Sequence, residues 1–153
     1  MARLDQMQES MRSHLISLEV PTFNTQPWVE GPPLSQRRIT IISTAGLHGR
    51  DDRLFTLMSS DYRIIPGDIA ANDLVMSHIS TNFDRSGFQQ DWNVAFPLDR
   101  LRELADEGTI GCVADFHYSF MGATDPKQME TTARHLAGII KKDQVNAVLL
   151  VPV

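Results

Sequence analysis

The sequence predicts one α/β domain, built as a Rossmann-like three-layer sandwich around a mostly parallel sheet. Residues 38–44 are β-branched and almost continuously apolar, as expected for a strand buried on both faces. Residues 145–151 have the same character and follow an amphipathic segment, which gives the strand, helix, strand order of a parallel crossover. With 153 residues, 42% of them hydrophobic and 22% charged, the chain is long enough to bury a core without disulfides or metals.

The amino-terminal part divides into a helix over residues 1–18 and an extended arm over residues 19–37. Apolar residues in the helix recur at spacings of three and four, which places Leu4, Met7, Met11, Leu15 and Leu18 on one stripe. We expect the stripe to pack on this domain or on a second copy, so the chain is expected to form a homo-oligomer. The arm is rich in proline, and Phe23 and Trp28 are its expected anchors.

The sheet core is predicted over residues 38–153. Its strands are expected at residues 38–44, 62–65, 73–77, 109–114 and 145–151. One helix is predicted over residues 97–107 and ends at Gly108, which suits a left-handed cap. A second helix begins after Asp125, with Pro126 in its first turn and Lys141 and Lys142 at its negative end.

Charge and composition exclude several classes of protein. A net charge of −5 and a pI near 5.4 argue against a nucleic-acid-binding surface. We find no apolar run near the ~20 residues that span a bilayer and no export signal, so no membrane contact is expected. The only cysteine is Cys112, which excludes an internal disulfide and suits a reducing compartment, so we expect a cytoplasmic protein.

Polar side chains follow three of the predicted strands. His48 follows the first, His78 the third and His117 the fourth, and the accompanying residues Thr44, Gly46, Tyr118 and Ser119 are candidates for substrate binding. Because ligands in open α/β sheets bind beyond the carboxyl ends of the strands, we expect the histidines to border one cavity. The alternative is that these are ordinary solvated loop residues.

Other sites are weakly supported by the sequence. No H-x-x-x-H or C-x-x-C spacing indicates a metal, so none is expected, although a metal-dependent lyase or hydrolase using His48, His78 and His117 stays an alternative. G-x-S-x-G and G-x-G-x-x-G are absent as well. Cys112 lies in an apolar segment and is expected to be a buried packing thiol rather than a nucleophile.

Several strings resemble one known family. They are TAGLH at residues 44–48, YRIIPGD at 62–68, SHI at 77–79, DWNVAFPLDRL at 91–101, EGTIG at 107–111 and YSFMG at 118–122. Together they resemble the selenoprotein B family of glycine, sarcosine and betaine reductases, which is related to D-proline reductase. The likeness runs from about residue 39 to Val153 and covers most of the predicted sheet core.

The resemblance implies reductive cleavage of a carbon–nitrogen bond in a small amine or amino acid. It implies no cofactor within these residues, a cysteine or selenocysteine motif after Val153, and a pyruvoyl group on a partner subunit that activates the substrate. The selenolate would attack the carbon that bears nitrogen. We therefore expect the sequence to be truncated before its redox residue, and the chain as given to be inactive.

The resemblance gives positions for the site residues and leaves their roles open. His48, His78 and His117 would protonate the leaving amine or bind a substrate carboxylate, and Tyr118 and Ser119 would orient that carboxylate. Asp91 and Asn93 are expected to fix the loop before the helix at residues 97–107. The alternative function is a binding or regulatory relative that lacks the redox centre.

Overall fold

The computed structural model describes residues 4–19, 22, 24–80 and 84–153, and it has the predicted α/β fold. The α-helices of these ranges are α1 (Glu9–Ser17), α2 (Ser86–Gln90), α3 (Leu98–Asp106) and α4 (Pro126–Lys142). The strands are β1 (Arg38–Ser43), β2 (Leu47–Gly49), β3 (Arg63–Pro66), β4 (Leu74–Met76), β5 (Cys112–Val113), β6 (Phe116–Ser119) and β7 (Ala147–Val151). Five strands form a mostly parallel sheet, and β2 and β4 form a separate ribbon.

Strand β1 lies at the centre of the sheet. β7 runs parallel to it, from Ile39 opposite Ala147 to Ser43 opposite Val151. On the other edge of β1, β5 pairs with its start and β6 with its end, both in parallel. β3 lies outside β6 and is the antiparallel strand of the sheet. The carboxyl ends of β1, β6 and β7 therefore meet at one edge.

Strands β5 and β6 are two parts of one strand that is interrupted by a bulge. Arg38 lies opposite Cys112, whereas Ile42 lies opposite Tyr118. Six steps along β5 and β6 thus match four steps along β1, so the bulge contains two extra residues. The backbone N–H of Ile41 donates to Nδ1 of His117 at 3.0 Å. An imidazole therefore replaces a carbonyl as the acceptor at the bulge.

The bulge explains where the sequence-based strand assignments were wrong. The strand predicted at residues 109–114 begins only at Cys112, and residues 116–119, which were expected to lie in a loop, form β6. The strand predicted at residues 73–77 is β4, but it pairs antiparallel with β2 outside the main sheet. The sequence did not predict β2, because three residues after Gly46 are too few to show a strand periodicity.

Helices α3 and α4 cover opposite faces of the sheet. Leu98 and Leu101 of α3 pack in the same core cluster as Ile39 and Ile41 of β1. On the other face, α4 contributes Leu136 and Ile140 to a second cluster, which contains Tyr118 and Phe120. Alternate residues of β1 thus face different cores, as a strand between two helical layers requires.

The ends of these helices have the predicted caps. The carboxylate of Asp125 accepts a hydrogen bond from the Lys127 N–H at 2.9 Å, and Pro126 occupies the first turn of α4. Gly108 follows α3 with a φ of 72°, a left-handed conformation that glycine adopts at low cost. On β7, α4 does not fully cover Val148 and Leu150, which are 42% and 67% exposed.

The amino-terminal helix is shorter than predicted. Leu4–Gln6 is a 3₁₀ turn, and α1 begins at Glu9; neither contains a buried residue. Within the arm, Trp28 is 87% exposed, so it is not an anchor, and Phe23 lies outside the described residues. The packing of the apolar stripe on a second copy stays a prediction. No helix in the described ranges is long and apolar enough to cross a membrane.

Candidate functional site

The carboxyl edge of the sheet brings three backbone segments into contact. The Gly122 N–H, beyond β6, donates to the carbonyl of Thr44 at 2.8 Å. The Thr44 hydroxyl accepts from the Val153 N–H at 2.8 Å and donates to the Val153 carbonyl at 3.2 Å. The ends of β1, β6 and β7 are therefore linked through one threonine.

His78 lies against this junction. The ring is 4% exposed, and Nε2 is 3.2 Å from the position that a β-carbon on Gly122 would occupy. Nδ1 accepts a hydrogen bond from the Ser80 N–H at 3.1 Å, so in the neutral ring the proton lies on Nε2. Burial, and then the charge of Arg85, lower the pKa of His78. The result is a neutral imidazole whose Nε2–H is a donor beside Gly122.

His48 is placed differently, within β2. It is 1% exposed, and Nδ1 donates to the carbonyl of Gly49 at 2.7 Å. Its ring lies edge-on to Phe55, with the centroids 6.5 Å apart. Nε2 is then an unprotonated acceptor, and it is buried without a hydrogen-bond partner. The local role of His48 is to join the ribbon to the loop that follows it.

His117 lies inside β6 rather than in a loop after a strand. It is fully buried, and its ring lies edge-on to Phe96 at 5.6 Å. Burial, reinforced by Arg102 and opposed by Asp115, lowers its pKa to about 4. Because Ile41 donates to Nδ1, the neutral ring carries its proton on Nε2, which has no hydrogen-bond partner.

The predicted substrate-binding residues make internal contacts. Ser119 Oγ is buried and accepts from the Leu47 N–H at 2.9 Å, and Gly46 hydrogen-bonds Ser77 and Phe120 through its backbone. Tyr118 packs at right angles to Tyr62 in the α4 core, where burial raises its pKa. Their contact with substrate, like that of Thr44, stays a prediction.

The three histidines do not share either of the two described clefts. One cleft, of about 430 Å³, is lined by residues 66–68, Arg102 and residues 113–116. The other, of about 460 Å³, lies between residues 71–74, α2 and the loop before α3. Within the described parts of the chain, no three His, Cys, Asp or Glu side chains converge to hold a metal. That the three histidines border one cavity stays a prediction.

Asp91 and Asn93 have the structural role that the sequence predicts. The Asp91 carboxylate accepts from the Asn93 backbone N–H at 2.9 Å, and the side-chain Oδ1 of Asn93 accepts from the Asp99 backbone N–H at 3.0 Å. Burial opposes ionisation of Asp99, but hydrogen bonds from Asn93, Trp92 and Arg102 lower its pKa. The prediction that this motif fixes the entry to α3 is confirmed.

Cys112 is exposed, so the prediction of a buried thiol was wrong. β5 contains only two residues, and Cys112 pairs with Arg38 at the amino-terminal end of β1. Its Sγ lies 3.8 Å from the Arg38 guanidinium. This position is at the opposite end of β1 from Thr44.

Exposure of Cys112 has a measurable consequence. We expect the native protein to react completely with a water-soluble disulfide reagent, at a rate within about tenfold of the rate in denaturant. Cys112→Ser provides the blank. Protection by more than about a hundredfold in the native state would show that the thiol is buried after all.

Sequence reasoning missed two residues that organise this part of the molecule. Gly122 was noted only as part of a family string, although its missing side chain allows the three strand ends to meet. Arg63, which is 4% exposed, donates to the carbonyls of Arg53 and Leu54. A polar residue inside the strand predicted at residues 62–65 was the available signal for Arg63.

The chain is similar to subunits of several amino-acid reductases. The D-proline reductase subunit gamma of Acetoanaerobium sticklandii is 35% identical over 120 residues, which are 76% of this chain and 49% of that subunit. The glycine reductase complex component B subunit gamma of Symbiobacterium thermophilum is 30% identical over 141 residues, 86% of this chain and 32% of that subunit. The sarcosine reductase complex component B subunit beta of Peptoclostridium acidaminophilum is 28% identical over 124 residues.

The chain spans about half the length of the first of these relatives and about a third of the others. No solved structure is significantly similar to it. The model of the glycine/sarcosine/betaine reductase selenoprotein B family matches residues 13–153. The match includes the whole sheet and every residue of the carboxyl-edge junction, so this chain belongs to that family.

Proposed function

We propose that this chain is a subunit, or the corresponding part of a subunit, of a reductase complex that cleaves the carbon–nitrogen bond of a small amine or amino acid. The observation that carries the proposal is the family match over residues 13–153. The relatives named above are subunits of D-proline, glycine and sarcosine reductases. The carboxyl edge, where the ends of β1, β6 and β7 meet, is the expected place for the chemistry.

Of the three predicted histidines, we assign substrate contact to His78. Its lowered pKa keeps the ring neutral, and the Ser80 N–H on Nδ1 directs the Nε2–H toward Gly122. A neutral donor binds a carboxylate oxygen better than it protonates a leaving amine. We assign His48 and His117 to positioning the ribbon and the bulge, since both rings are used inside the fold.

The proposal includes a cysteine or selenocysteine after Val153 and a pyruvoyl group on a partner subunit. When present, the thiolate or selenolate supplies the nucleophile. The geometry of Val153 fits this placement, because Thr44 holds both its N–H and its carbonyl next to Gly122 and His78. Cys112 does not fit, because it lies at the other end of β1.

Replacement of His78 tests the proposal. In the full-length subunit combined with its partner subunit, we expect His78→Gln to lower kcat/KM by at least about tenfold, mainly through a higher KM. His135→Gln, on the exposed surface of α4, should leave it unchanged. The substrates are glycine, sarcosine, betaine and D-proline, and the electron donor is a dithiol.

The outcomes of this assay separate the alternatives. Binding of these amines without turnover by the wild-type complex would favour a non-catalytic relative. Wild-type activity that His78→Gln does not change would contradict the role of His78 and leave the reductase function in place.

A further inference from the structure

A surface loop between β2 and β3 exposes three large apolar side chains. Leu54, Leu57 and Met58 are 63%, 76% and 67% exposed. They lie within five residues of one another, in a segment that belongs to neither of the two core clusters. Exposed apolar side chains in a group, unlike single ones, mark an interaction surface.

The loop is fixed to the domain through Phe55. This ring is 4% exposed, and the Arg63 guanidinium lies over it, 4.4 Å from its centroid. The Phe55 N–H donates to Ser77 Oγ at 3.0 Å. Arg63 also donates to the carbonyl of Leu54 at 3.2 Å. The backbone that carries the exposed apolar side chains is therefore fixed to the domain by Phe55 and Arg63.

The tip of the loop is a hydrogen-bonded turn over residues 56–59. The Ser59 N–H donates to the Thr56 carbonyl at 3.1 Å, and the Thr56 N–H donates to Ser59 Oγ at 2.9 Å. Met58 has a φ of 71°, in the left-handed region that glycine prefers. A strained backbone and exposed apolar groups both cost stability in the free chain, which indicates a role outside it.

We propose that Leu54, Leu57 and Met58 form the surface on which a partner subunit of the reductase complex docks. The inference rests on the proposed function, and it names the place where the partner meets the site. Large apolar side chains on a rigid support are the usual anchors of a protein interface.

The position of the loop favours a partner that acts at the carboxyl edge. Thr124, two residues after Gly122, donates from its hydroxyl to the Ser59 carbonyl at 2.8 Å. Ser77, which holds Phe55, directly precedes His78. A subunit seated on the loop would therefore lie next to the junction of Gly122, His78 and Val153.

The charged side chains around the loop are paired with one another. Asp61 lies 2.9 Å from Arg53 and 2.9 Å from Arg63. Asp52 lies 3.9 Å from the same Arg63 side chain, so the acidic and basic groups beside the loop offset one another. The relatives named above include components of multi-subunit reductase complexes. A different subunit with an apolar, weakly charged surface therefore suits this loop.

The test measures the affinity of the full-length subunit for its pyruvoyl-bearing partner subunit by sedimentation or surface plasmon resonance. We expect Leu57→Asp to raise Kd by about tenfold or more. Met58→Gly should raise Kd and leave Tm equal or higher, because glycine accepts the left-handed conformation. Val94→Asp, at a 65% exposed site in the 3₁₀ turn Trp92–Val94, should leave Kd unchanged.

Each result has one meaning. Equal Kd values for wild type, Leu57→Asp and Met58→Gly would contradict the proposal that the partner docks on this loop. The proposed function would stand. No binding by the wild type overturns the proposed function, and the inference with it. Dimerisation of the chain alone that Leu57→Asp abolishes would assign the surface to a second copy and overturn the choice of partner.

Discussion

Lowering the pH from 7 to 4.5 should cost about 2 kcal/mol of unfolding free energy through His117 alone. Burial, and then Arg102, lower the pKa of this residue from 6.5 to about 4, and Asp115 opposes them in part. Nδ1 of the neutral ring accepts a hydrogen bond from the Ile41 N–H. Protonation would add a hydrogen to Nδ1, so two donors would face each other. Each pKa unit corresponds to about 1.4 kcal/mol of unfolding free energy, so most of the stability that the lowered pKa provides is lost between pH 7 and 4.5.

The sign follows from the direction of the shift. The folded state holds His117 neutral, and the unfolded chain takes up a proton below pH 6.5. The stabilising contribution is therefore fully present above pH 6.5, falls between pH 6.5 and 4, and stops changing below the folded pKa.

His117→Asn isolates this effect. The asparagine oxygen can accept from Ile41 in place of Nδ1 and does not titrate. We expect the variant to be less stable at pH 7 but to lose about 2 kcal/mol less than wild type on acidification, measured by urea unfolding. His135→Asn, at an exposed position, should retain the wild-type slope. Equal pH dependence in wild type and His117→Asn would contradict the buried, neutral histidine.

Sequence patterns predicted the elements that bury continuous apolar faces. β1, α3, α4 and β7 were all predicted within a few residues, and the caps at Asp125 and Gly108 were predicted to the residue. These elements have a local signal because their burial repeats along the chain. The α/β class followed from their order.

The bulge and the ribbon had no such signal. β6 contains a fully buried histidine in the place of an apolar residue, because Ile41 needs a side-chain acceptor there. β2 and β4 are three residues each and are defined by pairing across the chain. The sequence therefore placed His117 in a loop and at the edge of the sheet, whereas it stabilises the interior.

The candidate site was predicted only in its location. Thr44 and His78 do lie at the carboxyl end of β1, as the topology required. Cys112 was expected to be buried because its neighbours in the sequence are apolar, but β5 is too short to cover it. The junction with Gly122 depends on contacts between chain segments from about 30 to 109 residues apart, which the periodicity of a sequence does not report.

Gly122→Ala should destabilise the protein by roughly 1–3 kcal/mol, the usual cost of overpacking a tight contact. A β-carbon at this position would lie 2.5 Å from the Val153 carbonyl oxygen and 2.8 Å from that of Thr44. Both are backbone atoms, so relief requires the ends of β1 and β7 to separate. The same methyl group would lie 3.2 Å from His78 Nε2, so substrate contact should weaken together with stability.

Gly138→Ala is the matched control and should have the opposite sign. Gly138 lies within α4, and a β-carbon there would meet no atom within 4 Å. Alanine is favoured over glycine inside a helix by about 0.5–1 kcal/mol, so this variant should gain stability. Urea unfolding of both variants at pH 7 gives the comparison. If Gly122→Ala were as stable as wild type, the three strand ends would not be in contact. The placement of Val153 beside His78, on which the site depends, would then be wrong.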